Sequence, residues 1–428
     1  MHIEKLTDAN PWWTTKQVPE EWKGKKRETY SSLFQSLTIR EITIITGVRR
    51  SGKSTLMYQM VDGLLQKGVP AEQILFINLE DNRTADDSLD DIYRTYREQI
   101  NPTDKTYFFL DEIHRRTNWE SWIRTQYDRY RDCKFVISGS CSYLLRREYS
   151  TLLTGRNLTY EIFPLSFKEF LSFKDISVDD SQLKKGLILE RQQYVIINAF
   201  QEYLRFGGFP EIVQKDLLFK TKILAQYFDD ILYKDIVDRY TVNSQKAKDL
   251  ALYLLTNITG EISLRSLRAM LGLSYESIKD YLSYYAEAFF LFAVDHFSYS
   301  MKTQKMNPSK IFCIDTGLRN AVSFRFSQDE GKLAENLVMT ELKRRGDDVY
   351  YWKSGKQHEI DCVIKNKDQT LTAINSTYTD KINSRECASL KEFADEFPKT
   401  QKLVCITKNV EKQEQGITYI PLWKWLLG

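Results

Sequence analysis

The sequence predicts an α/β fold with a parallel sheet in its first part, followed by a mainly helical region and then an α+β region. Three observations lead to this prediction. Between residues 39 and 162, short runs rich in β-forming residues alternate with helical segments. A glycine-containing segment connects the first run to an amphipathic helix, and a later apolar run ends in two acidic residues. Strands separated by helices normally lie parallel, in a sheet that helices cover on both faces.

The predicted sheet is built from short apolar runs. Its strands are expected at residues 42–46, 74–79, 107–110 and 135–138. After the first run, apolar residues from Leu56 to Leu65 recur at the spacing of one buried helix face. Gly68 follows where a helix is expected to end, because glycine readily adopts the left-handed conformation found there.

The segment between the first run and its helix carries a phosphate-binding pattern. Residues 47–55 match GxxxxGK[ST] in the strand-to-helix context that this pattern requires. Glycines allow backbone N–H groups to surround a β-phosphate, and the helix N-terminus adds partial positive charge. We expect Lys53 to reach the β- and γ-phosphates of ATP and the Ser54 hydroxyl to bind Mg²⁺. The residues expected around the nucleotide are Gly47, Arg49, Arg50, Ser51, Gly52, Lys53, Ser54 and Thr55.

Two acidic residues, Asp111 and Glu112, end the apolar run that begins at Tyr107. A buried strand end is a costly place for carboxylates unless a cation compensates them. Asp111 suits an indirect contact with Mg²⁺, and Glu112 suits the base that orients and polarises the attacking water. The alternative is a pair of acids that only caps a helix.

Two further features follow the acidic pair. The run 135–138 leads into Ser138-Gly139-Ser140, where either serine could sense the γ-phosphate or hold the attacking water, although a plain turn fits as well. Arg156 lies in a loop after the core strands. It could act as an arginine finger on the nucleotide of a neighbouring subunit, or it could be a solvated surface residue.

In this succession, the motifs resemble those of a large family of prokaryotic ATPases with an AAA-type motor and a further domain of unknown function. Other segments that match the family are Phe163-Pro164-Leu165-Ser166-Phe167, Gly207-Gly208-Phe209-Pro210, Asp315-Thr316-Gly317-Leu318 and Glu335-Asn336. The resemblance covers nearly the whole chain. It implies an ATPase core, a winged helix and a restriction-endonuclease-like tail, which we assign to residues 1–162, 163–309 and 310–428.

The middle region contains a helix-turn-helix pattern. Residues 264–271 and 278–288 are predicted helices, Gly272 supplies the turn, Ser274 can cap the second helix, and the β-rich run 289–298 could form a wing.

Charges on this pattern leave its role open. Arg265, Arg268 and Lys279 are available for contacts with DNA phosphates, whereas Glu276 and Asp280 lie on the same would-be recognition helix and would repel them. The alternative is a module that packs within the protein or between subunits and relays the nucleotide state.

The tail resembles a metal-dependent nuclease, which needs acids that hold Mg²⁺ and a lysine that orients water. Glu335 and Asp361 occupy two of the expected acidic positions, but the next strand carries Asn375 and Thr377 where an acid and the lysine are expected. We therefore expect a tail that does not cleave nucleic acid. Lys381 and Glu359 could compensate for the losses, although Glu359 and Asp361 could also be surface charges.

Composition and charge limit the partners, sites and cellular locations that can be expected for this protein. The net charge of +3 neither indicates nor excludes a nucleic-acid partner, and six cysteines without a CxxC spacing argue against a zinc site or a disulfide framework. The apolar run 288–294 is far shorter than the ~20 residues of a membrane helix, and the N-terminus lacks the apolar core of a signal peptide. We expect a cytoplasmic protein with no membrane contact.

The preferred interpretation is a Mg²⁺-dependent ATPase that forms a homo-oligomer and whose nucleotide state controls the two following domains. One alternative is an ATP-gated DNA-binding enzyme in which the tail still cuts. A second alternative is a scaffold or sensor that hydrolyses ATP slowly and acts by binding a protein partner.

Overall fold

The computed structural model describes residues 1–102, 105–140, 155–179, 190–323 and 330–428. Over these residues the chain forms two compact units, Met1–Ile162 and Phe163–Gly428. Among the helices of the described ranges, none combines the length and the apolar composition that a bilayer-spanning segment requires.

The first unit is built around a five-stranded sheet in the spatial order β2-β3-β4-β1-β5, with every neighbouring pair parallel. The strands are β1 (Ile42–Thr46), β2 (Ile74–Asn78), β3 (Thr106–Asp111), β4 (Cys133–Gly139) and β5 (Asn157–Glu161). The prediction of a parallel α/β sheet is confirmed, and β1 to β4 coincide with the predicted runs. The sequence pattern missed β5, because this edge strand is largely exposed and has no apolar run.

Helices pack around this sheet. They are α1 (Ile3–Ala9), α2 (Trp12–Thr15), α3 (Glu20–Lys23), α4 (Tyr30–Gln35), α5 (Lys53–Gln66), α6 (Leu89–Gln99) and α7 (Trp119–Arg129). Leu56, Met57, Met60, Val61 and Leu64 of α5 are buried in the same core as β1 to β4. The predicted apolar face of α5 is therefore the face that packs inward.

The outer edge of the sheet, at β2, is covered by the N-terminal segment. The Asn10 side chain accepts a hydrogen bond from the Phe76 N–H at 2.7 Å and donates to the Phe76 carbonyl at 2.8 Å, as a neighbouring strand would. The indole N–H groups of Trp12 and Trp13 donate to the Ile74 carbonyl at 3.2 and 2.9 Å. These contacts occupy backbone groups that an open edge would offer to another chain.

The second unit begins with helices and ends with a sheet. Its helices are α8 (Phe167–Phe173), α9 (Glu190–Phe206), α10 (Pro210–Gln214), α11 (Leu217–Asp230), α12 (Asp238–Tyr240), α13 (Ser244–Thr256), α14 (Leu264–Leu271), α15 (Tyr275–Glu287), α16 (Met301–Met306), α17 (Thr316–Val322), α18 (Glu330–Arg344), α19 (Ser384–Glu396) and α20 (Leu422–Trp425). A π-helix, Ile231–Val237, joins α11 to α12.

Helices α14 and α15 form the predicted helix-turn-helix pair. Gly272 ends α14 in the left-handed conformation, with φ of +62°, and the Ser274 hydroxyl caps α15 by accepting from the Ser277 N–H. The following strand, β6 (Leu291–Val294), pairs antiparallel with β7 (Lys310–Cys313). Strand β7, which opens the tail, thus forms a hairpin with a strand of the middle region.

The tail contains a six-stranded mixed sheet in the order β12-β13-β11-β10-β9-β8. Its strands are β8 (Val349–Lys353), β9 (Glu359–Lys365), β10 (Leu371–Ser376), β11 (Thr400–Thr407), β12 (Lys412–Glu414) and β13 (Ile417–Pro421). Leu390 and Phe393 of α19 pack on this sheet in a core that also contains Phe297.

Two of the family-like segments meet inside the second unit at the buried carboxylate of Asp315. This carboxylate caps α17 by accepting from the Leu318 N–H at 3.0 Å, and it also accepts from the Gly208 N–H at 2.7 Å. Gly207 has φ of +71°, and a Cβ there would lie 1.9 Å from Asp315 Oδ1. Glycine is therefore needed at position 207 against this carboxylate, while a Cβ at Gly208 would lie 2.4 Å from the Leu165 carbonyl oxygen.

Candidate nucleotide-binding site

The candidate site lies where β1, β3 and β4 end, because the carboxyl ends of neighbouring parallel strands share one edge of a sheet. The loop after β1 turns sharply at Gly47, with φ of +141°, where a Cβ would lie 2.2 Å from the Ile162 carbonyl oxygen. Gly52, with φ of +97°, immediately precedes α5. Only glycine fits at these two positions, so the loop brings its backbone N–H groups round to the N-terminus of α5.

Lys53, the first residue of α5, turns its side chain back into this loop. Its ammonium donates to the carbonyls of Gly47 and Val48 at 3.0 and 3.1 Å, and it lies 3.9 Å from Glu112 Oε1. The Lys53 side chain is 4% exposed. A buried ammonium thus lies against two carbonyls of the loop, where it is suited to hold phosphate oxygens.

Asp111 receives a hydroxyl on each carboxylate oxygen. Ser54 Oγ donates to Oδ2 at 2.6 Å, and Ser138 Oγ donates to Oδ1. Burial and the neighbouring Glu112 raise the pKa of Asp111 to about 6. A divalent cation beside Ser54 would favour the ionised form of this carboxylate, so the pair fits the expected Mg²⁺ position.

Glu112 is held in a conformation that side chains rarely adopt. Its φ is +53°, in the left-handed region. Ser138 Oγ accepts from the Glu112 N–H, and the Ser140 N–H donates to Glu112 Oε2, each at 3.1 Å. The His114 Nδ1 lies 3.4 Å from the same oxygen. Such backbone strain persists only where surrounding contacts enforce it, and it is often found at functional sites.

These contacts distinguish the two serines at the end of β4. The Ser138 hydroxyl bonds both Asp111 and the Glu112 backbone, whereas Ser140 approaches Glu112 through its backbone N–H. Both serines are fully buried. Ser138 is therefore part of the group that fixes the two acids, and its role as a γ-phosphate sensor stays a prediction.

The other residues of the loop differ in direction. Arg49 turns toward β2, while Arg50, with φ of +67°, is exposed. Ser51 is fully buried, and its carbonyl accepts from Arg27 Nη1 at 3.0 Å. Thr55, in the first turn of α5, is half-buried. Sequence reasoning missed Arg27, because its contact with the loop spans 24 residues.

Glu80, just beyond β2, is a second residue that sequence reasoning missed. Arg49 Nη1 and Nη2 donate to its two carboxylate oxygens at 3.1 Å each, and Arg115 Nη2 donates to Oε1 at 2.6 Å. Although burial opposes ionisation, Arg49 and Arg115 lower the pKa of Glu80 to about 2. The loop after β1 and the turn after β3 are thus tied to one carboxylate.

Arg156 does not join this group within its own subunit. Its carbonyl accepts from the Ile42 N–H at 2.7 Å, so it lies at the amino end of β1. A strand of five residues separates it from the phosphate-binding loop by roughly 16 Å. Arg156 Nε lies 3.4 Å from Asp128 Oδ1, and the residues that precede Gly155 in its loop lie outside the described ranges.

The residues present fit a nucleotide with its magnesium ion. In the arrangement that the structure shows, the described residues include no group of three or more His, Cys, Asp or Glu side chains placed to hold a metal ion. Mg²⁺ is commonly bound by one or two protein groups together with phosphate oxygens and water, and Ser54 and Asp111 supply such groups.

Comparisons with known proteins agree with this geometry. Residues 39–171 match the family model described as an AAA domain. Residues 197–329 and 330–425 match two domains of unknown function, DUF8612 and DUF4143.

Similar proteins span most of the chain. An uncharacterized protein of Methanocaldococcus jannaschii is 33% identical over 409 residues, which cover 90% of this chain and 88% of that protein. One from Haemophilus influenzae is 31% identical over 411 residues, covering 94% and 98%. A solved Walker-type ATPase of Pyrococcus abyssi aligns with a TM-score of 0.46 and 12% identity, covering 72% of this chain and 97% of that one.

Proposed function

We infer, from the premise that the chain belongs to the family of these two relatives and carries an AAA domain, that it is a Mg²⁺-dependent ATPase. The observation that carries this proposal is the arrangement of Lys53, Asp111 and Glu112 at one sheet edge. A buried ammonium faces a strained glutamate at 3.9 Å, and an aspartate with two hydroxyl partners lies beside them.

Each residue has a defined task in this proposal. The loop N–H groups and Lys53 bind and orient the phosphates, since N–H dipoles and an ammonium both donate hydrogen bonds to phosphate oxygens. Ser54 and Asp111 hold Mg²⁺, which when bound neutralises charge on the β- and γ-phosphates. Glu112 orients the attacking water and accepts its proton, while the Ser140 N–H donates to its carboxylate and keeps it in place.

Arg156 is proposed to act on a neighbouring subunit. It cannot reach the phosphate-binding loop of its own unit, and as an arginine its charge is always present. An arginine finger supplied in trans would compensate the charge that develops on the γ-phosphate. This proposal requires a homo-oligomer in which the β5 side of one subunit faces the nucleotide of the next.

For the second unit we propose that α14, α15 and the β6–β7 hairpin form a winged helix, and that the tail is an inactive nuclease-like domain. The nucleotide state of the first unit would control both. Exposed Arg265, Arg268 and Lys279 suit DNA phosphates, but exposed Glu276 and Asp280 lie on the same helix as Lys279 and oppose them. The charges therefore favour a module that packs within the protein or between subunits and relays the nucleotide state.

One experiment separates the proposed ATPase from the DNA-processing and scaffold alternatives. The full chain is assayed for ATP hydrolysis and molar mass, with and without Mg²⁺ and with and without duplex DNA at two salt concentrations. We expect Mg²⁺-dependent turnover and a larger assembly with ATP. Failure to bind or hydrolyse ATP would overturn the proposal. Salt-dependent DNA affinity would favour the DNA-processing alternative, and a stable protein partner with negligible turnover would favour the scaffold.

A further inference from the structure

A buried lysine lies among the carboxylates of the tail. Lys310 Nζ is 2.9 Å from Glu335 Oε1, 2.5 Å from Glu359 Oε1 and 4.0 Å from Asp361 Oδ1. The Lys310 side chain is only 4% exposed. We call Glu335, Glu359 and Asp361 the carboxylate cluster.

Lys310 reaches the cluster from outside the tail sheet. It is the first residue of β7, whose partner strand is β6 of the middle region. Strand β7 is fastened to α18 by the Asn336 side chain, which accepts from the Cys313 N–H and donates to the Cys313 carbonyl, each at 2.8 Å. Because Glu335 precedes Asn336 on α18, the same docking brings Glu335 to Lys310.

The cluster places three carboxyl groups around one ammonium. Although burial opposes it, Glu335, Asp361 and Glu359 raise the pKa of Lys310, so its ammonium stays charged. Burial, together with Glu335, raises the pKa of Asp361 to about 8, and burial raises that of Glu335. The Lys310 ammonium is thus stabilised by the carboxylates, while burial favours the protonated forms of Asp361 and Glu335.

The side chain of Asn375, which stands where an acid was expected, makes hydrogen bonds with neighbouring residues of the tail. Its amide donates to Glu386 Oε2 at 2.7 Å and to the Glu359 carbonyl at 3.2 Å, and its oxygen accepts from the Asp361 N–H at 3.2 Å. The second Asp361 oxygen accepts from the Ser376 N–H at 2.7 Å. These contacts tie β9 to β10 beside the cluster.

We propose that Lys310 is the resident cation of the carboxylate cluster and that it excludes divalent metal ions from the tail. An ammonium within 3 Å of two carboxylate oxygens uses the oxygens that a metal ion would need. Two cations sharing these oxygens would repel each other strongly, since the side chains that surround them are largely buried. Divalent metal can enter only when Lys310 leaves.

The proposal is tested with Mn²⁺ as the probe, in nucleotide-free full-length protein. Bound Mn²⁺ is measured by electron paramagnetic resonance in wild type, Asp361→Asn, Lys310→Met and Lys310→Met/Asp361→Asn. We expect wild type and Asp361→Asn to bind alike, because the cluster is closed in both. Lys310→Met should gain a site of at least about tenfold higher affinity, which the double variant loses.

Two outcomes would overturn the proposal. The first is Mn²⁺ binding by wild type that falls in Asp361→Asn. The second is a folded Lys310→Met that gains no Asp361-dependent site. Lys310→Arg keeps a monovalent cation and is expected to behave as wild type. If Lys310→Met does not fold, the comparison of wild type with Asp361→Asn still decides. Since no ATP is used, the result is independent of the proposed ATPase activity.

Discussion

The two units of this protein each bring one lysine to buried carboxylates, but the two lysines are held differently. In the first unit Lys53 donates to loop carbonyls and stays 3.9 Å from Glu112, while Asp111 is satisfied by two serine hydroxyls. In the second unit Lys310 pairs directly with Glu335 and Glu359. The first arrangement leaves both acids and ammonium available to a ligand, whereas the second uses them on each other. Similar residue types can therefore make an open site or a closed one.

The largest effect is expected from the substitution of Arg156, because the first site is proposed to receive this positive charge from a neighbouring subunit. Arg156→Ala should lower ATP turnover by about 10³- to 10⁵-fold, the usual contribution of an arginine finger. Arg124→Ala is the matched control, because Arg124 also faces Asp128, at 3.7 Å, from the middle of α7. It should leave turnover nearly unchanged.

Mixing experiments tell whether Arg156 acts in trans. Assemblies of Arg156→Ala with Lys53→Ala should recover part of the activity, because one subunit supplies the arginine and the other the intact site. A protein that stays monomeric with ATP bound, or confirmed mixed assemblies without recovery, would contradict this prediction.

A matched pair of amide substitutions tests the difference between the two carboxylate sites directly. Glu112→Gln should lower turnover by about 10²- to 10⁴-fold with ATP binding retained, because an amide cannot accept the proton of water. Glu359→Gln, the same change in the tail, should leave turnover unchanged. Equal turnover of Glu112→Gln and wild type would remove Glu112 from the role of base.

The lysine of the first site is expected to contribute mainly to binding. Lys53→Ala removes a charge-assisted contact with phosphate and should weaken ATP affinity by about 10- to 150-fold, as measured by calorimetry. Lys67→Ala, just after the other end of the same helix, serves as the control. Affinities that fall equally in both variants would argue against a specific contact.

Asp315 of the second unit lies at neither of these two sites, and its carboxylate accepts from the backbone N–H groups of Gly208 and Leu318. Burial raises its pKa from the ordinary 3.8 to about 6. Between these pH values the folded protein keeps a proton that the unfolded chain releases. The contribution of Asp315 to stability should therefore fall by about 3 kcal/mol as pH rises through this window.

Urea unfolding of the second unit at several pH values measures this contribution. Asp315→Asn does not titrate, so its unfolding free energy should lack this fall with pH, although the variant is less stable throughout. Parallel curves for the two proteins would show that Asp315 titrates normally.

The smallest effect is expected from the closed site. The tail should not cleave single- or double-stranded DNA or RNA with Mg²⁺ or Mn²⁺, with or without ATP, since Lys310 occupies the carboxylates and Asn375 replaces an acid. Asp361→Ala is the necessary control for contaminating nucleases. Cleavage that disappears in Asp361→Ala would refute this prediction and favour the DNA-processing alternative.

Sequence patterns anticipated the parts of the molecule that depend on local order. The spacing of apolar residues predicted strands β1 to β4 and helix α5. Residues 47–55 predicted the loop between β1 and α5, because the whole GxxxxGK[ST] motif is contiguous in the sequence. The structure brings Lys53, Ser54, Asp111, Glu112 and Ser138 together as expected, and their chemical roles stay predictions.

What the sequence did not reveal depends on contacts between distant residues. Glu80 lies 31 residues from Arg49, and Lys310 lies 25 residues from Glu335 and on a different element. The sequence pattern offered Lys381 in place of the lysine missing at Thr377 and gave no sign of Lys310, which reaches the carboxylates from β7. The sequence shows which side chains are charged, but only the folded structure shows which of them lie in contact.

The N-terminal segment has a consequence for how the first unit can be divided. The AAA-domain match begins at residue 39, after Asn10, Trp12 and Trp13. Those side chains occupy the outer edge of β2, where they imitate a sixth strand. A chain cut at the start of the match would keep the loop between β1 and α5 yet expose an unpaired strand, and such edges recruit other molecules by strand addition. The side chains of Asn10, Trp12 and Trp13 thus shield this edge of the sheet from strand addition by another molecule.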